Sequence, residues 1–342
     1  WSLEFVYQSV MGSFVGETGE VITQNFDTFR FDTWRPYLWI VVFIALTAGV
    51  LYAGVEKGIE KWSKVLMPML FLIVVYLCVY AIFLPNSGEG YKFYFDTDFS
   101  KINAKVIIAA LGQAFFSLSL GMGAMMIYGS YIEKGTNLAK TSIQIASLDT
   151  LVAILAGLVV FPAVFSYGID PAAGPQLVFI TLPTVFAQMT GGYFFSIFFF
   201  LLVAVAALTS TISILEVQIA TVAEEFKMNR KVSLLLMSLI MLVVCCMCSY
   251  SLIPMDGGNE LVFVGKSLFD ICDILTSYII LPLGGLLIML FLGWFYKKED
   301  LHYVLVVETK CSEGLFKVYY FFLRFIAPLL LLAVFLQQLG LF

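Results

Sequence analysis

Apolar runs of about twenty residues, parted by short polar stretches, set the rhythm of this chain. A helix needs roughly 20 such residues to cross a bilayer. Hydrocarbon offers the backbone no partners, so runs of this kind form helices that satisfy their own peptide groups. No stretch shows the short apolar–polar alternation of a barrel strand. The pattern predicts eight full spans, near Leu38–Val55, Val65–Leu84, Val106–Tyr131, Ser142–Tyr167, Tyr193–Val222, Val232–Leu252, Leu268–Tyr296 and Leu315–Leu339. The stretch from Trp1 to Phe14 is too short to span and reads as a partial helix. It begins without Met and has neither the basic leader nor the small-residue cleavage site of a signal peptide. The expectation is a helix cut short, in a chain lacking its first part. The fold class is an all-α polytopic membrane protein, with residues 1–342 as one transmembrane domain.

Composition agrees: 61% of residues are hydrophobic and 13% charged, against about half and a quarter in soluble domains. Trp39, Trp62, Trp294 and Tyr296 fall near span ends, where amphipathic rings favour the interface. Lys and Arg are about twice as frequent in one set of alternating loops, including Lys57, Lys61, Lys64, Lys227, Arg230, Lys297 and Lys298. The positive-inside rule makes that set cytoplasmic. The 15–37 loop and the C-terminus, Phe342, are then outside. External loops 85–105 and 168–192 carry Gly, Pro, Asn and Asp, suited to turns and lids. No basic stripe suggests nucleic acid. Cys245, Cys246 and Cys248 have no His or carboxylate beside them and read as small packing residues rather than a metal site. His302, beside Glu299 and Asp300, reads as solvated.

Three intramembrane features carry candidate chemistry. Residues 112–123, GQAFFSLSLGMG, put small and hydroxylated residues in mid-span. A break there frees carbonyls and N–H groups for an ion or zwitterion; a small-residue packing face is the alternative. Asp149 lies inside the next span, where a carboxylate costs roughly 2.5–3.5 kcal/mol on insertion scales and needs a partner, a cation or water. In 206–214, AALTSTISI, positions 206, 209, 210 and 213 share a helix face and form a hydroxyl stripe, with helix-packing glue as the alternative. Glu216 follows as a second intramembrane acid without an evident partner. No nucleophile–base pair or phosphate loop suggests an enzyme.

The order of these motifs resembles the neurotransmitter:sodium symporter family, in particular its bacterial eleven-helix amino-acid transporters of the LeuT fold. The likeness rests on GIEKWSKVLMP at 58–68, GQAFFSLSLGMGAMMIYGSY at 112–131, FITLPTVFAQMTGG at 179–192 and ALTSTISILE at 207–216. It implies an inverted-repeat bundle without its first two helices: 38–84 ends the first repeat, 106–296 forms the second with an unwound segment at 117–123, and 315–339 is the final helix. It further implies that Phe116, Ser117, Ser119, Met122, Ser210 and Ile214 contact the substrate. Ser117 and Asp149 match ligands of one Na+ site; Ala206, Thr209 and Ser210 match the other. Gln113, Tyr131, Glu224 and Asp273 match gate residues, and Gly58 with Pro68 a glycine–nine–proline pattern at which a helix can unwind. A helix start with Pro68 in its first turn is the other reading of that pair.

Asp149 stands where an asparagine is common, and Ala153 is neither an acid nor the serine of chloride-dependent members. Transport without chloride is the expectation. The function implied is sodium-coupled symport of a hydrophobic or aromatic L-amino acid by alternating access in the plasma membrane of a bacterium, with no organic cofactor. This 342-residue chain alone is not expected to transport. A proton-coupled permease using Asp149 or Glu216, and an amino-acid-binding membrane sensor, are the competing functions.

Overall fold

The structure, a computed structural model, describes the chain apart from residues 54–55, 97, 133–134, 169–176, 254–261, 264–265, 310 and 340–342. The side chains of 56–63, Tyr128, Tyr131, Leu177, Val262 and Phe263 are likewise outside the described set. In chain order the helices are Ser2–Val10 (α1), Gly19–Arg30 (α2), Arg35–Tyr52 (α3), Glu56–Ile82 (α4), Ser87–Phe95 (α5), Ala104–Ser117 (α6) and Ala124–Tyr131 (α7). Leu138–Tyr167 (α8), Leu177–Gln188 (α9), Gly192–Glu225 (α10) and Arg230–Tyr250 (α11) follow. A two-residue antiparallel ribbon, Val262–Phe263 (β1) with Lys266–Ser267 (β2), leads into Leu268–Asp273 (α12) and Leu281–Leu290 (α13). Lys298–His302 (α14), Glu313–Phe321 (α15) and Ala327–Gln338 (α16) complete the chain. Short π-helical stretches at Ile274–Ile280 and Phe322–Ile326 join α12 to α13 and α15 to α16, and a third at Phe291–Phe295 extends α13, giving two continuous rods.

Seven described helical rods are long and apolar enough to cross a membrane, so the chain is an all-α multi-pass membrane protein. They match seven of the eight predicted spans. The eighth, predicted at Val106–Tyr131, is divided into α6 and α7, neither long enough to cross alone. The loops expected to be external differ from the turns predicted there, because much of each is helical. In α2, Thr18 Oγ1 accepts from Val21 N at 3.5 Å, and Ile22, Phe26 and Phe29 recur on one buried face. That i, i+4, i+7 spacing is an amphipathic helix lying on protein rather than a turn. Within the 85–105 loop, α5 buries only Gly90, and within the 168–192 loop, α9 is apolar and buried continuously from Ile180 to Phe186. Pro68 lies well inside α4, which corrects the reading of it as a first-turn proline.

Contacts divide the described chain into two compact units, residues 1–97 with 152–269 and residues 98–151 with 270–342. In the first unit, α10 is flanked by α1, α3, α4, α9 and α11. Its core is aromatic: Phe5 sits 5.0 Å from Phe179 and 5.1 Å from Phe200 between ring centres. Such tilted pairs add about 0.5–1.5 kcal/mol beyond their burial. Glu4 is fully buried beside this core. It receives Gln8 Nε2 at 2.7 Å and Trp39 Nε1 at 2.6 Å, and pairs with Arg35. In the second unit, α13 and α6 pack on α16.

Candidate functional site

Between α6 and α7 the backbone leaves the helix through three residues of positive φ: Ser119 at 54°, Gly121 at 83° and Gly123 at 82°. Glycine takes such angles freely. Serine does not, and a non-glycine residue held there marks a place where the surroundings impose the conformation. Leu118, Ser119 and Leu120 donate to the carbonyls of Ala114, Phe116 and Phe115 and so close the end of α6. Beyond them, among the described residues, no hydrogen bond ends on the carbonyls of Ser117–Met122 or begins at the amides of Gly121–Met125. Membrane proteins tolerate bare peptide groups at mid-span only where these face protein or a cavity.

The turn is held by its neighbour. A Cβ at Gly121 would lie 2.5 Å from the Leu281 carbonyl oxygen, and one at Gly284 would lie 2.9 Å from the Gly121 carbonyl oxygen. The break is thus pressed backbone to backbone on the Gly284–Gly285 step of α13. Those two glycines carry no signal of periodicity, but a Gly-Gly pair inside an apolar span is a mark of close approach.

Asp149 turns toward the same break. Ser117 Oγ donates to Asp149 Oδ1 at 2.7 Å, joining the last residue of α6 to the middle of α8. A carboxylate, a hydroxyl and unbonded carbonyls are the hard oxygen donors that a small alkali cation takes. Among the described residues no group of three His, Cys, Asp or Glu could hold a metal. A sodium ion needs no such group, since neutral oxygens serve it.

The hydroxyl stripe lies on the unbroken α10. Thr209 Oγ1 and Ser210 Oγ both donate to the Ala206 carbonyl, at 2.8 and 3.2 Å, and Ser213 Oγ bonds to the Thr209 carbonyl at 2.8 Å. Two hydroxyls on one carbonyl satisfy themselves in the absence of an ion. They need only rotate their hydrogens away to present three oxygens to a cation. Ile214, on the same helix, is exposed.

Gln113 and Phe116 line a cavity of about 500 Å³ together with Asp273, Ser277, Tyr278 and Gln337. Ser277 Oγ donates to Asp273 Oδ1 at 2.9 Å, and Gln337 Nε2 donates to the Lys105 carbonyl at 2.9 Å. Met122 is half-buried in the break and Glu224 is exposed at the end of α10. The Tyr131 side chain lies outside the described residues, and the backbone of α4 is wound through Gly58 and Pro68. Glu216, left alone by the sequence reading, has a partner: Arg230 Nη2 lies 2.7 Å from its Oε2. The pairing crosses a tight α10–α11 turn, which no helical spacing predicts. His302 is also more than solvated, since Glu313 Oε1 is 2.8 Å from its Nε2 and its ring meets Phe316 edge-on.

Comparison with known proteins carries the same geometry further. The family model of the sodium:neurotransmitter symporter family matches residues 22–342. The chain belongs to that family. It is therefore a sodium-dependent transporter and not an enzyme. It is 36% identical over 342 residues to YhdH, a sodium-dependent transporter of Bacillus subtilis, covering 99% of this chain and 75% of that one. A sodium-dependent transporter of Haemophilus influenzae is 34% identical over 99% of this chain and 74% of its own. Over 61% of this chain and 34% of that protein, the sodium-dependent serotonin transporter of Drosophila melanogaster is also 34% identical. Among solved structures, MhsT in complex with L-phenylalanine matches with TM-score 0.89 and 36% identity, over 99% of this chain and 76% of that one. The symporter fold is shared.

Proposed function

We propose that this protein couples sodium entry to uptake of a hydrophobic or aromatic L-amino acid by alternating access. The observation that carries the reading is the Ser117–Asp149 hydrogen bond beside a run of peptide groups that make no hydrogen bond among the described residues. In this reading Ser117 and Asp149 hold one sodium, and the Ala206 carbonyl, Thr209 and Ser210 hold a second. Phe116, Ser119 and Met122 contact the substrate, the free amides of Gly121–Met125 suit its carboxylate, and Ile214 and Ser210 are further contacts. Gln113 and Asp273 gate the outer side; Glu224, Tyr131 and unwinding at Gly58–Pro68 serve the inner side. The relative captured with L-phenylalanine favours an apolar side chain, as do Phe116 and Met122. The Lys and Arg excess puts the 15–37 loop and the C-terminus outside a bacterial inner membrane.

Binding of tritiated L-phenylalanine to the purified full-length protein, titrated with sodium, tests this. Asp149→Ala should raise the half-saturating sodium concentration at least ~10-fold, the range of a lost charged ligand. Sodium-independent binding would sink the proposal. The carboxylate of Asp149 supplies negative charge beside the ion, so uptake should persist when chloride is replaced by gluconate. Uptake driven by a pH gradient in sodium-free buffer would favour the proton-coupled alternative, and binding without flux in liposomes the sensor.

A further inference from the structure

Arg324 is a cation inside the last span. It lies in the π-helical stretch Phe322–Ile326 of the rod Glu313–Gln338, about 16 Å along the helix from Glu313 at 1.5 Å per residue. Helical side chains lean toward the N-terminal end of their helix, so this one leans toward Glu313. Its guanidinium carbon sits 4.4 Å from the centre of the Trp294 ring. Trp294 is one residue from the end of the rod Leu268–Phe295. The charge thus stands at the level of a helix end, where membrane and water meet.

The crossing around it is tight. Trp294 Nε1 donates to the Arg324 carbonyl at 3.1 Å, Tyr320 Oη to the Gly293 carbonyl at 3.4 Å, and a Cβ on Gly293 would lie 3.0 Å from Arg324 Cα. Among the described residues no carboxylate pairs with Arg324, and its Nε is buried without an acceptor. A half-buried cation without a counter-charge is costly, and an arginine so placed in a span marks a site. A second cation stands close by: Lys298 Nζ lies 5.1 Å above the ring of Tyr320, one helical turn before Arg324.

The surroundings choose the anion. Trp294, Phe295, Phe321 and Phe325 are 53%, 80%, 56% and 43% exposed around the pair, an apolar skirt suited to acyl chains rather than water. We propose that Arg324 and Lys298 bind the headgroup phosphate of an anionic phospholipid whose chains lie on this skirt. The planar guanidinium grips two phosphate oxygens, and the second cation selects net negative lipids over zwitterionic ones. The two π-helical stretches, at Phe291–Phe295 and Phe322–Ile326, bring the partners together, as such bulges often do at functional sites.

Trp294 is the reporter. Quenching of its fluorescence by brominated phosphatidylglycerol and brominated phosphatidylcholine is compared in the full-length protein, taking its signal as the difference from Trp294→Phe. Half-quenching should need about five-fold less phosphatidylglycerol, the effect of one basic residue at a membrane surface. Arg324→Gln and Lys298→Gln should each erase much of the preference, and Arg324→Lys should keep part of it. If Arg324→Gln does not fold, Lys298→Gln on the short α14 decides, and an unchanged preference there overturns the proposal. Equal quenching by the two lipids overturns it, as does release of the preference by millimolar inorganic phosphate, which would mark a soluble-anion site.

Discussion

The hydroxyls of Ser117, Thr209 and Ser210 each already have a hydrogen-bond acceptor, so a bound ion must compete with a bond of 2.7–3.2 Å. The neutral bonds of Thr209 and Ser210 contribute only about 0.5–1.5 kcal/mol net each, and the bond of Ser117 to the Asp149 carboxylate about 1.5–3 kcal/mol, which an ion can displace. Thr209→Val keeps the shape and removes one oxygen; it should weaken sodium about 3–10-fold, on the scale of one such bond, while leaving thermal stability nearly unchanged. A sodium titration of substrate binding reads the first and a melting curve the second. Outside the membrane, Asp32 accepts from Arg35 N at 2.9 Å and Trp34 N at 2.8 Å at the start of α3. The hydrogen bond from the Arg35 amide, then that from Trp34, hold its carboxyl below its ordinary 3.8. The lowered value means the cap is fully present above 3.8 and is lost as pH falls through the lowered value. Melting temperatures of the wild type and Asp32→Ala should differ at neutral pH and converge in that acidic window. Asp149 stood out in the sequence because an acid in hydrocarbon demands a partner. Its partner Ser117 was legible only through the family resemblance, since the two are 32 residues apart.

At the scale of elements, the division of α6 from α7 is the feature on which the proposed mechanism rests. The glycines and serines of 117–123 made the break readable, but they fit a packing face equally well. The choice was made by α13, whose Gly284–Gly285 step leaves room for the turn and none for side chains. Gly121→Ala should therefore be severe: it adds a Cβ 2.5 Å from the Leu281 carbonyl oxygen at a φ of 83°. Strain of that kind costs about 1–3 kcal/mol, to be seen as a lower melting temperature together with lost binding. An unchanged melting temperature would mean that the turn is not packed as described. The helices α2, α5 and α9 escaped the hydropathy pattern because all are too short to span: α2 is amphipathic, α5 is only nine residues long, and α9 is apolar but only twelve residues long.

For the whole molecule, coupling requires that sodium and substrate favour the same state, so that each raises the affinity of the other by the same factor. Measured sodium affinity with and without L-phenylalanine, and the reverse, should change by equal ratios; unequal ratios would rule out simple linkage. Stability at this scale also rests on buried charge. Glu4 has no exposed surface and is held by Arg35, Trp39 and Gln8. Arg35→Met should cost about 1–3 kcal/mol by leaving that carboxylate under-satisfied, read as a lower melting temperature in detergent.

Length and apolarity of the runs determined by themselves that this chain spans a membrane as helices, because hydrocarbon permits no other solution for so long an apolar segment. The order of four motifs determined the family. What only the tertiary structure decided are the pairings between segments distant in the chain: Ser117 with Asp149, Glu216 with Arg230, Glu4 with Arg35, and Arg324 with Trp294. Hydropathy records how much each residue prefers lipid to water. It holds no information on which faces meet, and that is set by shape and by the need of each buried polar group to find a partner.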